Sequence, residues 1–202
     1  MSTTIKKINP FDQLATFLPL TLDYYINNGG TTNVDKIPTL VADYISAVAI
    51  NASNLAALDK PTWFGMSALA INYYYDPNVF ETKGSRFFQL LNSIGVVSAV
   101  EFDNRLKDIE KQVLLATDIS ADERDTLLIG IAFGLAASLY WKTVIATPAS
   151  PWWATILPAG STYQSHWALS AMQGAMAFSD QENAGIIIGG ASCSIFDVIG
   201  NY

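Results

Sequence analysis

Histidine and cysteine are nearly absent from this chain, which contains one of each, His166 and Cys193. A single cysteine cannot form an internal disulfide, so nothing in the sequence indicates folding in an oxidising compartment. Zinc sites need three or four His, Cys or carboxylate ligands, and here they would have to be built mainly from carboxylates. Glycine-rich phosphate-binding motifs are missing as well. We therefore expect no metal site and no cofactor.

Charged residues are also scarce, because they make up 14% of the 202 residues, against roughly 25% in typical soluble domains. The eleven Lys and Arg are scattered and are outnumbered by eighteen Asp and Glu, which gives a net charge of −7. Binding to nucleic acid requires clustered positive charge. We therefore expect no nucleic-acid partner.

A secretory signal is not recognisable at the start of the sequence, MSTTIKKINPFDQ. This stretch has neither an apolar run of about seven residues nor a small-residue cleavage site. We expect synthesis in the cytoplasm without a Sec-type signal. Membrane association, or export within an assembly, are the alternatives that the sequence leaves open.

The charges that are present are unevenly distributed. Residues 1–125 contain all but four of them, and 126–202 contain only Lys142, Asp180, Glu182 and Asp197. The length fits one domain, so we predict a single all-helical domain over 1–202, more polar in 1–125 and nearly uncharged in 126–202. So large an uncharged surface is unfavourable in water. We expect self-association or a larger protein assembly to cover it.

The stretch 120–147 is the clearest helix in the sequence. Ser120 and Glu123 are spaced as a capping box at its start, and no charged residue occurs between Thr126 and Trp141. Its apolar residues cover every side, so the helix must be surrounded by other helices or by lipid. We predict an all-α bundle of six to seven helices around this central hydrophobic helix, about 120–147.

Helical periodicity or turn residues define the other elements. The last segment is ambiguous, because three consecutive isoleucines favour a strand whereas its length and small residues favour a helix, which we prefer. The remaining predictions, in chain order, are a helix over 10–27 kinked or split at Pro19, an amphipathic helix from Asp35 to near Asp59, a short helix over 61–75, a long helix from Ser85 bent near Gly95, a loop over 148–160, a helix over 163–178 and the ambiguous segment 184–199.

Two groups of residues indicate contact surfaces. Gly130 and Gly134 form a GxxxG motif that Ser138 continues, and this spacing lets another helix approach closely, in a membrane or in a water-soluble bundle. The second group is aromatic. Its members are interfacial anchors if the protein meets a membrane, and otherwise fill a core or a subunit interface; they include Trp141, Trp152, Trp153 and Trp167.

His166 is the only residue that offers the usual general base, and Cys193 is a candidate nucleophile that it can activate only if the two meet in space. No Lys or Arg lies near Cys193 in the sequence to lower its pKa, which favours a buried thiol. For His166 a structural or interface role is favoured. We predict no catalytic residue.

Three functions remain compatible with these observations. We prefer a non-enzymatic structural, cargo or assembly protein whose apolar C-terminal part is buried in an oligomer or larger complex. The first alternative is a membrane-active protein that forms pores or inserts helices, although the uncharged run of 16 residues is shorter than the roughly 20 needed to span a bilayer. The second is a small helical enzyme or carrier with an apolar pocket near His166.

Overall fold

The described part of the chain consists of helices and connecting loops, with no strand, which confirms the all-α prediction. In this computed structural model, residues 8–49, 60–74 and 86–200 are described. Buried side chains from all of the helices named here belong to one hydrophobic core. In chain order these helices are α1 (Asp12–Ala15), α2 (Phe17–Asn27), α3 (Lys36–Ala49), α4 (Lys60–Tyr74), α5 (Arg86–Asn92), α6 (Ala99–Leu115), α7 (Ala121–Ala146), α8 (Pro151–Thr155), α9 (Ser165–Ala177) and α10 (Asn183–Gly200).

The hydrophobic helix predicted over 120–147 is α7. It begins where the sequence indicates, because the Ser120 hydroxyl accepts a hydrogen bond from the backbone N–H of Glu123 at 3.1 Å. Every residue from Thr126 to Gly134 is buried. Helices α9, α6, α1 and α2 contact α7. This first half of α7 therefore has protein neighbours on every side, as a helix that is apolar all round requires.

The most completely buried helix is α10, in which every residue from Ala184 to Ile199 is buried. It packs against α9, α4, α3 and α2. The sequence left this segment between strand and helix, and the structure shows the helix that we preferred. Small residues let its neighbours approach closely. A Cβ atom at Gly189 would overlap the carbonyl oxygen of Gly174, and a Cβ atom at Gly174 would overlap that of Gly189, so the backbones of α9 and α10 touch.

Two connections differ from their predictions. The long helix expected to bend near Gly95 is instead two helices, because Gly95 has a φ of +64° and Ser98 caps a new helix at the N–H of Glu101. The stretch 148–160 is not all loop. It contains the short helix α8, which starts with Pro151 at its first turn and places Trp152 in the core.

The break in the first predicted helix falls at Thr16, between α1 and α2, and not at Pro19. Pro19 lies in the first turn of α2, where its missing N–H removes no intrahelical hydrogen bond. The expected end of a helix near Asp59 and the expected start at Ser85 lie outside the described residues.

The chain itself covers much of its charge-poor second part. The whole length of α10 between its ends is buried, and so is most of α7 up to Trp141. The covering helices include α2, α3, α4 and α6 from the more polar first part. Burial of these apolar helices therefore does not require a second protein. The prediction of a partner from the sequence had assumed that it does.

Candidate functional site: an apolar groove beside α7

The face of α7 that carries the GxxxG motif is occupied within the chain. A Cβ atom at Gly130 would overlap the side chain of Met176, and one at Gly134 would lie 2.9 Å from Leu106 and 3.3 Å from Met172. The two glycines thus make room for α9 and α6. In this conformation they are closed to a second protein or to lipid.

Ser138, the third residue on that face, belongs to a polar network. Its hydroxyl donates to Asp103 Oδ1 at 2.6 Å and accepts from the Tyr163 hydroxyl at 3.0 Å. The other carboxylate oxygen of Asp103 pairs with Lys142 Nζ at 2.6 Å. Burial raises the pKa of Tyr163 to about 12, so its phenol stays neutral and donates. The Lys142 charge is therefore compensated on the side of α7 that faces α6.

Three of the four tryptophans that the sequence indicated as a contact surface lie in the core. Trp141 contacts Trp152 and Trp167 with ring centroids 4.9 and 5.3 Å apart, and all three are at most 1% exposed. Trp153 is half-buried and donates from Nε1 to the carbonyl of Val144 at 3.1 Å. Aromatic rings packed in this way stabilise the fold. They are not placed as anchors in a membrane interface in this conformation.

The structure brings His166 to an aspartate that the sequence did not single out. His166 Nδ1 lies 2.6 Å from Asp197 Oδ2, and the Asp197 side chain is 0% exposed. An Asp–His pair is the arrangement that orients a catalytic base. Within the described residues, however, no hydroxyl or thiol is hydrogen-bonded to the imidazole of His166.

Cys193 is not placed as the nucleophile of such a site. Its thiol is buried and donates to the carbonyl oxygen of Ala70 at 3.4 Å. Burial, together with the charge of Asp197, raises the pKa of Cys193 to about 12. At neutral pH the sulfur is therefore protonated and unreactive. The described residues contain no group of three or more His, Cys, Asp or Glu side chains that could hold a metal ion.

One concave feature of the described residues is a groove between α1 and α2 on one side and the C-terminal half of α7 on the other, and the start of α8 also contributes to its lining. Its volume is about 770 Å³. One wall carries Asp12, Ala15, Thr16, Pro19 and Asp23, and the α7 wall carries Ala132, Leu135, Ala136, Leu139, Tyr140 and Thr143.

A chain of hydrogen bonds joins the core to this groove. Trp152 Nε1 donates to the Tyr140 hydroxyl at 2.7 Å, and this hydroxyl donates to Asp23 Oδ1 at 2.8 Å. Burial and the nearby Asp23 charge raise the pKa of Tyr140 far above its usual range. The phenol is therefore a fixed, neutral donor, and the relay ends on a carboxylate that lines the groove.

The charged groups of the groove are of one sign only. Its charged lining residues are Asp12 and Asp23, and no Lys, Arg or His lines it among the residues described. Burial raises the pKa of Asp12. His166 is not part of the lining, so this groove is distinct from the pocket near His166 that the sequence suggested as an alternative.

No pattern in the sequence predicted this groove. Asp23 and Tyr140 are 117 positions apart, and no local pattern indicates that they meet. A weak signal was available in α7, where Leu135, Leu139, Thr143 and Thr147 recur every fourth residue without a charge. All four are half-buried or exposed, which marks the side of α7 left partly uncovered.

Comparison with known protein families, with curated proteins and with solved structures finds no match for this chain.

Proposed function

We propose that this protein is a non-catalytic binding protein that holds a small apolar molecule in the groove between α1–α2 and α7. The observation that carries this proposal is the groove itself. Its volume of about 770 Å³ falls within the range of roughly 300–1,000 Å³ that is typical of small-molecule sites. Apolar and small side chains form most of the lining, and a few polar groups lie among them, which is the usual composition of such a site.

The α7 wall of the groove is held in place by the core behind it. Tyr140 packs edge-on against Trp141 with ring centroids 5.1 Å apart, and its hydroxyl is held between Trp152 and Asp23. A wall fixed in this way loses little conformational entropy when a ligand binds. This supports a preformed site over one that the ligand has to create.

The test is a titration with N-phenyl-1-naphthylamine, a neutral apolar probe whose fluorescence rises on burial. We expect saturable binding of one probe per chain. Ala136 lines the groove, so the variant Ala136→Trp should fill it and weaken binding at least tenfold. The matched control is Ala121→Trp, because Ala121 is an exposed residue of the same helix that does not line the groove.

Equal binding by both variants would place the probe elsewhere on the protein, and non-saturable binding by the unmodified chain would mean that the groove is not a site. Either result overturns the proposal. Circular dichroism and thermal unfolding of each variant show whether its fold is intact before the titration is read.

Membrane insertion is a second candidate, supported by a different observation. Helices α7 and α10 are long and apolar enough to cross a bilayer, with mean hydropathies of 1.6 and 1.4 in their most apolar windows. Those windows are 67% and 89% buried. Buried core helices of water-soluble proteins have the same two properties, and insertion would have to separate the touching backbones of α9 and α10. We therefore rank this candidate below ligand binding.

Release of a trapped dye from liposomes tests insertion. Vesicles of neutral and of anionic lipid should both be used, at neutral and at acidic pH, because protonated carboxylates lower the cost of entering lipid. Leakage that depends on protein concentration would favour insertion. Intact vesicles under all four conditions would exclude it.

Self-association, or entry into a larger assembly, stays a prediction of the sequence. The described surface does expose large apolar side chains, and Ile8, Val96, Val100 and Leu115 are each at least 70% exposed. Native mass spectrometry at micromolar concentration measures the outcome directly. A dimer or larger species would support the prediction, and a monomer over the whole concentration range would oppose it.

A further inference from the structure

We infer that the molecule bound in the groove is an elongated amphiphile with a protonated amine, and that the Asp23 carboxylate is the counter-ion of that amine. This inference rests on the proposed function and adds the chemical class of the ligand. It depends on the direction of the groove, on the charges along it and on the relay that ends at Asp23.

The groove is long because its two walls run in the same direction. Asn9 Nδ2 donates to the carbonyl of Leu128 at 2.9 Å, and Tyr140 donates to Asp23 at 2.8 Å. The start of α1 thus lies beside the first half of α7, and the middle of α2 lies beside its second half. On the α7 wall the lining runs from Ala132 to Thr143, which is about 16 Å along the helix axis at 1.5 Å per residue. An extended chain fits this shape better than a compact ring.

Within the part of the chain that the structure describes, the negative charge in the groove has no cation to balance it. Asp12 and Asp23 are the charged residues in the lining, and neither forms an ion pair with a described residue. The nearest candidate on α7, Lys142, pairs with Asp103 at 2.6 Å outside the groove lining. Both carboxylates are exposed to solvent, so they attract a cation most strongly when its apolar body lies in the groove and displaces water beside them. The occupant that complements this charge is a cation with an apolar body.

Asp23 is the better placed of the two carboxylates to receive an amine. The Tyr140 hydroxyl holds its Oδ1 atom, and Oδ2 accepts no hydrogen bond from the described residues. Because Trp152 in turn fixes Tyr140, the carboxylate has a defined position at the groove wall. An ammonium group can therefore bind it with a charge-assisted hydrogen bond without first reordering the side chain.

The experiment compares three ligands with one chain length and different head groups: decylamine, decanol and decanoate. Each is titrated, below its micelle concentration, against protein loaded with N-phenyl-1-naphthylamine. We expect decylamine to displace the probe at a concentration about tenfold lower than decanol, the scale of a charge-assisted hydrogen bond. Decanoate should be the weakest competitor because its charge is repelled. Added salt should reduce the preference for the amine, since the groove is open to solvent.

Two variants test whether the preference for decylamine over decanol depends on Asp23. Asp23→Asn should reduce the ratio of decanol to decylamine concentrations towards one, because the charge is lost while the side-chain volume is kept. The matched control Asp125→Asn removes one exposed charge on α7 outside the groove, and it should keep the ratio of the unmodified protein.

The outcomes separate this inference from the proposed function. If decylamine and decanol displace the probe equally well, or if Asp125→Asn abolishes the preference as fully as Asp23→Asn, the amine inference is wrong although the groove still binds. If the probe shows no saturable binding, the proposed function fails and the inference fails with it.

Discussion

The contact between α9 and α10 makes a sharp prediction about stability. Gly174 and Gly189 face each other so closely that a Cβ atom on either would overlap the carbonyl oxygen of the other. That oxygen belongs to a helix backbone and cannot rotate away as a side chain would. Accommodating one methyl group therefore requires the two most tightly packed helices to separate. We expect Gly189→Ala to destabilise the protein.

The expected size follows from two opposing effects. Overpacking a close-packed core costs about 1–3 kcal/mol, and we take about 3 because the obstacle is backbone. Replacing glycine by alanine inside a helix returns about 1 kcal/mol. The net loss is about 2 kcal/mol, which corresponds to a fall in Tm of roughly 4–8 °C for a domain of this size.

Gly65 supplies a matched control. It is also a helical glycine, it is exposed, and a Cβ atom there would meet nothing within 4 Å. Gly65→Ala should therefore show the propensity gain alone, a rise in Tm of about 2–4 °C. Thermal and urea unfolding of the unmodified protein and of the two variants measures both the expected loss and the expected gain of stability. If Gly189→Ala is as stable as the unmodified protein, α9 and α10 do not touch in the way described here.

Three further predictions concern the termini of helices, the buried thiol and alkaline pH. Ser120→Ala removes the hydroxyl that accepts the N–H of Glu123, and should lower the free energy of unfolding by about 1 kcal/mol in urea titrations; an unchanged value would mean that water replaces the cap at no cost. Cys193 should react with a thiol reagent in denaturant but not in the native protein at pH 8, because it is buried and its pKa is raised to about 12; rapid native labelling would contradict its placement. Burial likewise raises the pKa values of Tyr25 and Tyr163 to about 12. Since folding favours the neutral forms, the stabilisation is complete below pH 9 and should be lost progressively between about pH 9 and 12, as measured by unfolding at a series of pH values; constant stability up to pH 12 would contradict it.

Local signals in the sequence were sufficient for the elements that begin or end on a cap. Ser120 and Glu123 predicted the start of α7 to within a residue, because the interaction lies within four positions. Gly95 indicated a distortion, but not that the helix would end there. That outcome depends on Ser98 capping a second helix three residues later. A bend and a break begin with the same glycine, and the sequence alone did not distinguish them.

The partners of the apolar surfaces could not be predicted in this way. The GxxxG motif indicated close packing correctly, yet nothing local showed that Met172 and Met176 of the same chain would occupy it. The groove depends on Asp23 meeting Tyr140, a contact between distant parts of the chain. The charge asymmetry was real, but we assumed that the uncharged part had to be covered by another molecule. That conclusion did not follow, because the more polar helices of the same chain cover much of the uncharged part.

The position of α10 in the chain has a consequence for synthesis. Helix α10 is made after α2, α3 and α4, so the apolar faces with which these helices contact it leave the ribosome before α10 does. Stable closure must wait until residues 183–200 have emerged, because their burial completes the interior. Before that point the nascent chain exposes the apolar faces that α10 covers, and an intermediate of this kind aggregates or recruits chaperones.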